Sequence, residues 1–172
     1  MNVTTVSPSV LTDLDVFKGF WDSAVAYQKL NSLPNWYDFP TIAISQEIRD
    51  NQHFTVRQGN VILGYASVTY SDPLIWEDLE DGRSIYLHRM CVNPDHRGKH
   101  LASIALRWAC AFAKVNKKDF VRIDTWASNE RLIDYYVRSG FKPLAKKRPT
   151  DPKNLPPHYN NIELMLFQNS CI

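Results

Sequence analysis

The sequence predicts an α/β fold in which a mixed sheet of about six or seven strands is flanked by helices. Two strand-like runs, Phe54 to Arg57 and Val61 to Tyr70, are joined by Gln58-Gly59-Asn60, whose Gly and Asn suit a tight antiparallel hairpin. Further along, the apolar strand Ser84 to Val92, an Ala-rich helix and the strand Phe120 to Trp126 follow one another. A strand, a crossover helix and a further strand form a parallel unit. A hairpin combined with such a unit predicts a mixed sheet.

The remaining elements are predicted from hydrophobic periodicity and capping residues. Apolar residues three and four apart predict a helix from Leu14 to Lys29, which Asp13 or Thr12 would cap. Ser128 is the predicted N-cap of a later helix that Ser139-Gly140 ends. The other predicted elements are a helix over Thr41 to Asp50 and strands over Phe141 to Ala145 and Ile162 to Phe167. Because no internal repeat or linker is found, we expect residues 1–172 to form a single domain.

Two stretches allow a structural and a functional interpretation. Trp36, Tyr37 and Phe39, in a loop rich in proline and aromatic residues, fit core packing, with one wall of a substrate pocket as the alternative. The acidic stretch Ser71 to Arg83 fits a solvated loop, with a rim that attracts a cationic substrate as the alternative.

Composition and charge exclude several classes of protein. Apolar residues make up 44% and charged residues 22% of the chain, as in globular rather than disordered or fibrous proteins. The net charge of +2 is too small to favour a protein that binds nucleic acid. Since neither a signal-peptide pattern nor an apolar stretch of membrane length occurs, we expect a cytoplasmic protein that binds no membrane. Cys91 and Cys110 fit small buried thiols, and together with Cys171 they lack metal-ligand spacing.

The stretch Val92 to Ala102 connects a strand to a helix and carries positive charge. Its turn begins at Asn93-Pro94, and Arg97 and Lys99 precede the helix. The first N–H groups of a helix lack intrahelical acceptors and the helix dipole adds positive charge, so a helix start of this kind favours anions. We interpret the stretch as a phosphate-binding loop. On these residues alone, a solvated surface turn is the alternative.

Three segments within residues 84–141 occur in a recognisable order and spacing. They are the strand with Val92-Asn93-Pro94 to Arg97-Gly98-Lys99-His100-Leu101-Ala102, then Arg122-Ile123-Asp124-Thr125 leading to Asn129, then Tyr135-Tyr136-Val137-Arg138-Ser139-Gly140-Phe141. Together they resemble the GNAT superfamily of N-acetyltransferases, which take the acetyl group from acetyl-CoA. The resemblance implies a GNAT-like twisted sheet whose central parallel strands splay, with acetyl-CoA held as co-substrate where they separate. It also implies that the first half of the chain determines acceptor specificity.

The resemblance also implies which residues bind the cofactor. The main chain of Met90, Cys91 and Val92 would bind the pantetheine and the thioester carbonyl, while Asn129 and Tyr136 would contact the cofactor arm. The family pattern has glycine where His100 stands. If His100 has ordinary helical dihedrals, we expect its Cβ to be tolerated there and its ring to reach the pyrophosphate. The pyrophosphate itself would bind the N–H groups of Arg97, Gly98, Lys99, His100, Leu101 and Ala102.

Two residues are candidates for proton transfer. Tyr136, four residues before Gly140, matches the family's general acid, and a core tyrosine is the alternative interpretation. His88 is the candidate base, because an imidazole with a pKa near 6.5 can accept the amine proton, either directly or through water. A partly buried structural histidine is the alternative for His88. Weaker candidates for the base are Glu77, Glu80 and His158.

The predicted activity is direct transfer of an acetyl group from acetyl-CoA to a primary amine, without a metal or a covalent enzyme intermediate. The acceptor would be a small-molecule amine or an amine of a peptide or protein, and no nucleic acid is expected as a partner. A homodimer is left open beside the monomer. The alternative function is a catalytically inactive CoA-binding module of GNAT-like fold, acting as a sensor or interaction domain.

Overall fold

The protein is described by a computed structural model over residues 3–171, and this part of the chain forms seven strands and five α-helices. The strand order in the sheet is β1-β2-β3-β4-β5-β7-β6. The prediction of an α/β fold with a mixed sheet of six or seven strands is therefore confirmed. The helices are α1 (Leu14–Leu30), α2 (Thr41–Arg49), α3 (Pro73–Trp76), α4 (Leu101–Val115) and α5 (Glu130–Arg138). The strands are β1 (Thr4–Pro8), β2 (His53–Gln58), β3 (Val61–Thr69), β4 (Ser84–Val92), β5 (Phe120–Trp126), β6 (Pro143–Lys147) and β7 (Leu164–Ser170).

The chain divides into two compact units. Unit 1 contains the chain up to Val68 together with His88–Ala105, and unit 2 contains Thr69–Leu87 and the chain from Leu106 onward. The boundaries fall within β3, β4 and α4. No helix within residues 3–171 is both long and apolar enough to cross a bilayer.

Unit 1 begins with antiparallel strands. β1 pairs with β2, with Val6 opposite Val56, and β2 pairs with β3, with Phe54 opposite Ala66. The predicted hairpin between β2 and β3 is confirmed, and Gly59 in its turn has a φ of +58°. β1 was not predicted, because its sequence Thr-Thr-Val-Ser-Pro offers a single large apolar residue and no alternation.

The core of unit 1 lies between the helices α1 and α2 and the strands. Phe17 of α1 and Ile44 of α2 are fully buried and belong to one cluster with Tyr65 of β3 and Cys91 of β4. The helix predicted over 14–29 is confirmed as α1, and Asp13, one of the two predicted caps, is its N-cap residue, although not through its side chain. Asp13 makes no capping hydrogen bond, because its carboxylate pairs with Arg57.

The aromatic loop before α2 packs in part against α1. The Trp36 ring stacks on the Trp21 ring with centroids 4.3 Å apart, and the Phe39 ring packs edge-on against Trp21. Tyr37 is exposed, although its carbonyl accepts the Trp21 indole hydrogen. Trp36 and Tyr37 also line a surface pocket with Asp22 and Asp38, so both interpretations of this stretch remain compatible with the structure.

Unit 2 contains the parallel pair. The first residues of β4, Ser84–Tyr86, pair in parallel with Phe120–Arg122 of β5, which confirms the predicted crossover unit. β7 then pairs antiparallel with β5 on one side and with β6 on the other. The strands predicted at 141–145 and 162–167 are present, but each begins two residues later, at Pro143–Lys147 and Leu164–Ser170.

Contrary to the predicted irregular loop, the acidic stretch 71–83 contains α3 and a 3-10 turn at Glu77–Leu79. Its acidic side chains are nonetheless partly or fully exposed, as predicted for a solvated stretch. Its Ile75 and Trp76 are buried in α3, and each acidic group in it has a structural partner. Glu77 and Asp78 pair with Lys147 of β6. The Glu80 carboxylate accepts the N–H groups of Asp72 at 2.8 Å and Gly82 at 3.2 Å, and Asp81 pairs with the buried Arg122.

Cys110 differs from its predicted state as a free buried thiol. Cys110 of α4 and Cys171 form a disulfide with Cα atoms 5.0 Å apart, within unit 2. Cys91 is a buried free thiol, as predicted.

Candidate functional site

The predicted phosphate-binding loop is anchored to β3 by Asn93. The Asn93 amide donates to the Ile62 carbonyl at 2.7 Å, and its backbone N–H donates to the Leu63 carbonyl at 2.9 Å. The side-chain oxygen of Asn93 accepts the Asp95 N–H at 3.0 Å, which caps the 3-10 turn Pro94–His96. The position at which the chain leaves β4 is therefore fixed by one buried side chain.

Two left-handed residues shape the loop between this turn and α4. Gly98 has a φ of +81° and His100 a φ of +54°. The His100 carbonyl accepts the Ile104 N–H at 3.1 Å, so His100 directly precedes the first turn of the helix. The condition under which His100 was expected to be tolerated is therefore not met: its backbone is not helical but in the region that favours glycine.

Gly64 of β3 allows the start of α4 to approach the sheet closely. A Cβ built at Gly64 would lie 2.5 Å from both the Cys91 carbonyl oxygen and the Leu101 Cδ2. Leu101 and Ala102, the first residues of α4, are buried. The sequence did contain a signal, because a lone glycine within a strand often marks a close approach of backbone.

The charged and thiol side chains of the loop region have well-defined environments. The Arg97 guanidinium lies over the ring of Tyr27 of α1, 5.0 Å from its centroid. Burial raises the pKa of the Cys91 thiol to about 12, which leaves it protonated and unsuited to nucleophilic attack. Met90 and Val92 on either side are partly buried. No sequence pattern indicated the contact between Tyr27 and Arg97.

β4 is irregular at Arg89, which has a φ of +51°. In a regular strand alternate side chains lie on the same face of the sheet, and this alternation does not continue through a left-handed residue. The Arg89 side chain pairs with Glu47 of α2, a contact that no sequence pattern predicted.

Asn129, in unit 2, is the N-cap of α5, so the prediction of Ser128 in that position is wrong. The Asn129 side-chain oxygen accepts the Leu132 N–H at 3.1 Å, and its carbonyl accepts the N–H groups of Leu132 and Ile133. Among the described residues the Asn129 amide nitrogen has no hydrogen-bond partner. Asn129 can therefore cap the helix with its oxygen and still donate to a ligand with its nitrogen.

Tyr136 of α5 is buried between aromatic rings of unit 2. Its ring packs edge-on against Phe141, at 5.5 Å between centroids, and against Phe167, at 5.8 Å. Its hydroxyl makes no hydrogen bond to any residue within 3–171. Burial, with smaller contributions from Tyr135 and Asp124, raises the pKa of Tyr136. The ring is thus a core residue, whereas the hydroxyl is a protonated group without a partner.

A pair of carboxyl groups in unit 2 was missed by the sequence analysis. A carboxylate oxygen of Asp124, on β5, lies within 4.8 Å of a carboxylate oxygen of Asp72. The Tyr159 hydroxyl donates a hydrogen bond to Asp124 at 3.3 Å. Burial, and secondly the charge of Glu80, raises the pKa of Asp72 to about 7. Asp72 and Asp124 are 52 residues apart in sequence, so no local spacing indicated their proximity.

The candidate bases differ in their surroundings. His88 is half-buried in β4. Both oxygens of Glu77 are engaged, by Thr150 and by Lys147, and Glu80 is held by backbone N–H groups. The His158 ring packs edge-on against Trp126 at 6.1 Å.

Comparisons with known proteins agree with this architecture. The curated protein "Uncharacterized N-acetyltransferase YesJ" of Bacillus subtilis (strain 168) is 32% identical over 71 residues, which are 41% of this chain. The match spans only 39% of that relative's length. A GNAT family acetyltransferase from Listeria monocytogenes superposes with a TM-score of 0.74 at 22% identity, covering 97% of this chain and 94% of that one.

A putative acetyltransferase from Salmonella typhimurium, yncA, whose structure contains its cofactor acetyl-CoA, has a TM-score of 0.69 at 16% identity. The superposition covers 99% of this chain and 95% of that one. At such identities the two solved structures show a shared fold. A model of the acetyltransferase (GNAT) family matches residues 16–141, well over half of the sequence, and the chain therefore belongs to that family.

Proposed function

We propose that this protein transfers an acetyl group from acetyl-CoA directly to a primary amine. The observation that supports it most strongly is the loop from Asn93 to His100, which turns through left-handed Gly98 and His100 into the buried start of α4. Such a loop brings backbone N–H groups to the start of a helix, where phosphate groups are favoured. The match to the GNAT family over 16–141 includes this loop.

The residues of the loop fit the phosphate groups of acetyl-CoA. Arg97 and Lys99 supply positive charge, and the N–H groups from Arg97 to Ala102 are the proposed donors to the pyrophosphate. The Asn129 amide nitrogen is a proposed donor to the pantetheine arm. The main chain from Met90 to Val92 is proposed to hold the thioester, where N–H groups would stabilise negative charge on the carbonyl oxygen. Bound acetyl-CoA supplies the activated acetyl group.

The acceptor amine must lose a proton before it can attack. An amine of pKa about 10.4 is mostly protonated at pH 7, which costs about 4 to 5 kcal/mol. His88 is the proposed proton acceptor, directly or through water. Tyr136, held protonated by its burial, is the proposed donor to the departing thiolate.

Primary amines are favoured as acceptors because the matched Bacillus subtilis relative carries the name of an N-acetyltransferase. The purified protein should release free thiol from acetyl-CoA in the presence of at least one member of a panel of polyamines, amino acids, aminoglycosides and peptides. Binding of acetyl-CoA, measured by calorimetry, should weaken about tenfold in Arg97→Gln, as expected for the loss of a charged phosphate contact.

Arg107→Gln is the matched control for that experiment, because Arg107 is an exposed residue of α4 outside the loop. It should bind acetyl-CoA like the wild type. Binding without thiol release for every amine would show a CoA-binding module instead of an enzyme. Equal affinities of the Arg97 and Arg107 variants would contradict the proposed phosphate site.

A further inference from the structure

Arg89 has an unusual backbone conformation in the middle of a strand. It lies between His88 and Met90 in β4, and its φ of +51° is in the left-handed region. Arginine has no intrinsic preference for this region, which only glycine, asparagine and aspartate enter readily. A conformation of this kind persists when surrounding contacts hold it in place.

The contacts that hold Arg89 come from two other elements of unit 1. One carboxylate oxygen of Glu47, on α2, pairs with the Arg89 guanidinium. The other oxygen of Glu47 accepts the hydroxyl of Ser67, on β3, at 2.6 Å. We call these three residues, Arg89, Glu47 and Ser67, the Arg89 clamp.

The clamp is built into the interior of unit 1. Ser67 is fully buried, and the Glu47 and Arg89 side chains are only 13% and 26% exposed. Ile44 and Ile48, on either side of Glu47 in α2, pack in the same core cluster as Cys91 of β4. An ion pair that is largely shielded from water and anchored by a buried hydroxyl is costly to break from one side.

The backbone of Arg89 determines the direction of the peptide group that follows it. A left-handed residue turns that peptide away from its place in a regular strand. The peptide in question carries the N–H of Met90, one of the groups proposed to hold the thioester. We infer that Glu47 and Ser67 are positioning residues, which act through Arg89 to aim the Met90 main chain at the thioester carbonyl of acetyl-CoA. The inference rests on the proposed function for the identity of the ligand.

The test compares the dissociation constants of acetyl-CoA and CoA, because only acetyl-CoA has the thioester carbonyl. In Glu47→Gln, which keeps the size of the side chain and removes its charge, the ratio of the two constants should shift at least fivefold in favour of CoA. The affinity for CoA itself should stay within twofold of the wild type, and kcat should fall at least tenfold. A purely structural role would lower Tm without changing the ratio at temperatures well below Tm.

Two replacements of Arg89 separate the clamp from the conformation that it holds. Arg89→Gly removes the ion pair but adopts a positive φ without strain, so it should shift the ratio less than Arg89→Ala does. Adding Glu47→Gln to Arg89→Gly should have no further effect. Should Glu47→Gln not fold, Ser67→Ala takes its place, with an expected shift of at least twofold.

Asp119→Asn is the control, since it removes the exposed ion pair with Arg83 and should change neither the ratio nor kcat. The inference is overturned if Glu47→Gln, or Ser67→Ala in its place, leaves the ratio unchanged, or if Glu47→Gln acts equally with and without Arg89→Gly. A wild-type protein that binds both ligands but acetylates no amine would contradict the proposed function, and the ratio would still test the clamp.

Discussion

The Arg97 guanidinium lies over the ring of Tyr27, 5.0 Å from its centroid, and this contact joins the proposed phosphate-binding loop to helix α1. A cation over the face of an aromatic ring is stabilised by about 0.5 to 2 kcal/mol, depending on its exposure to water. The ring therefore restricts the positions that Arg97 can take before a ligand arrives. A preorganised arginine binds phosphate more tightly than a mobile one, because less side-chain entropy is lost on binding.

Replacing Tyr27 should weaken the binding of acetyl-CoA only when the aromatic ring is removed. Tyr27→Leu should raise the dissociation constant about three- to tenfold, which corresponds to about 1 kcal/mol. Tyr27→Phe keeps the ring and should stay within about twofold of the wild type. Calorimetry with acetyl-CoA provides the measurement. Equal losses in both variants would indicate that the hydroxyl, not the ring, matters.

His100→Gly should stabilise the fold slightly and tighten the binding of acetyl-CoA. A left-handed backbone costs a residue with a Cβ about 1 to 2 kcal/mol, of which the greater freedom of glycine in the unfolded chain cancels part. The net gain should be below about 1 kcal/mol in urea denaturation. Removing the ring should also let the pyrophosphate approach the backbone, with an affinity gain of about threefold or more.

Lys117→Gly is the matched control for His100→Gly. Lys117 is exposed beyond the end of α4 and has a similar φ of +55°. It should gain comparable stability without any change in the affinity for acetyl-CoA. A loss of affinity in His100→Gly would show instead that the imidazole contacts the pyrophosphate.

The elements that were predicted correctly are those whose signal is local. The helices α1 and α4 show apolar residues at helical spacing, and the hairpin turn at Gly59 has the residues that its geometry requires. The ion pairs of the acidic stretch were not predicted because their partners are distant in sequence: Asp78 pairs with Lys147, and Asp81 with Arg122. In the sequence, an acidic residue whose ion-pair partner is distant cannot be distinguished from an acidic residue that is only exposed to solvent.

The distinction between local signals and contacts that are distant in sequence also applies to the candidate site. The proposed roles of Arg97, Asn129 and Tyr136 come from motifs within residues 84–141. The left-handed backbone of Arg89 depends on Glu47, which is 42 residues away, and no pattern of single residues encodes that pairing. Asn129 rather than Ser128 became the helix cap, although both residue types favour that position equally.

Gly64→Ala should destabilise the protein by disturbing the contact between β3 and the start of α4. The added methyl group would lie 2.5 Å from the Cys91 carbonyl oxygen, a backbone atom that cannot move aside cheaply. Overpacking of this kind costs about 1 to 3 kcal/mol, which urea denaturation would detect. In the control Gly19→Ala, no atom of residues 3–171 lies within 4 Å of the new Cβ, apart from the adjoining residues and the nearby backbone of α1 itself. That variant should gain about 0.5 to 1 kcal/mol, because alanine favours helix.

Tyr136→Phe should lower kcat by at least about tenfold while the affinity for acetyl-CoA is retained, as expected when a proton donor is lost. Since burial keeps the pKa of Tyr136 above its ordinary value of 10.0, the hydroxyl should stay protonated across the neutral and mildly alkaline range. Any decline of kcat between about pH 8 and 10 should therefore come from another group. Thiol release gives kcat, with Tyr135→Phe as the control. An unchanged kcat in Tyr136→Phe would exclude the hydroxyl from the mechanism.

Asp72→Asn should stabilise the protein at alkaline pH and have little effect in acid. The pKa of Asp72 is raised from 3.8 to about 7 in the folded protein, by burial first and by Glu80 second. Below about pH 4 the carboxyl is protonated in both the folded and the unfolded chain, so its ionisation costs nothing. As the pH rises from about 4 to 7, the unfolded chain ionises first, and the folded state loses stability relative to it. Above the folded pKa this loss is complete, at about 2 to 4 kcal/mol, and the neutral asparagine should recover it.

Denaturation of the Asp72 variant and the wild type at pH 4, 6 and 8 would follow this dependence. Asp134→Asn, which changes an exposed aspartate of α5, should show the same small effect at every pH. A stabilisation by Asp72→Asn that is as large at pH 4 as at pH 8 would mean that the amide makes a new contact. Destabilisation at pH 8 would mean that the ionised carboxylate is held by groups that favour its charge. The pH at which the two curves separate thus reports whether Asp72, beside Asp124, carries a proton near neutral pH.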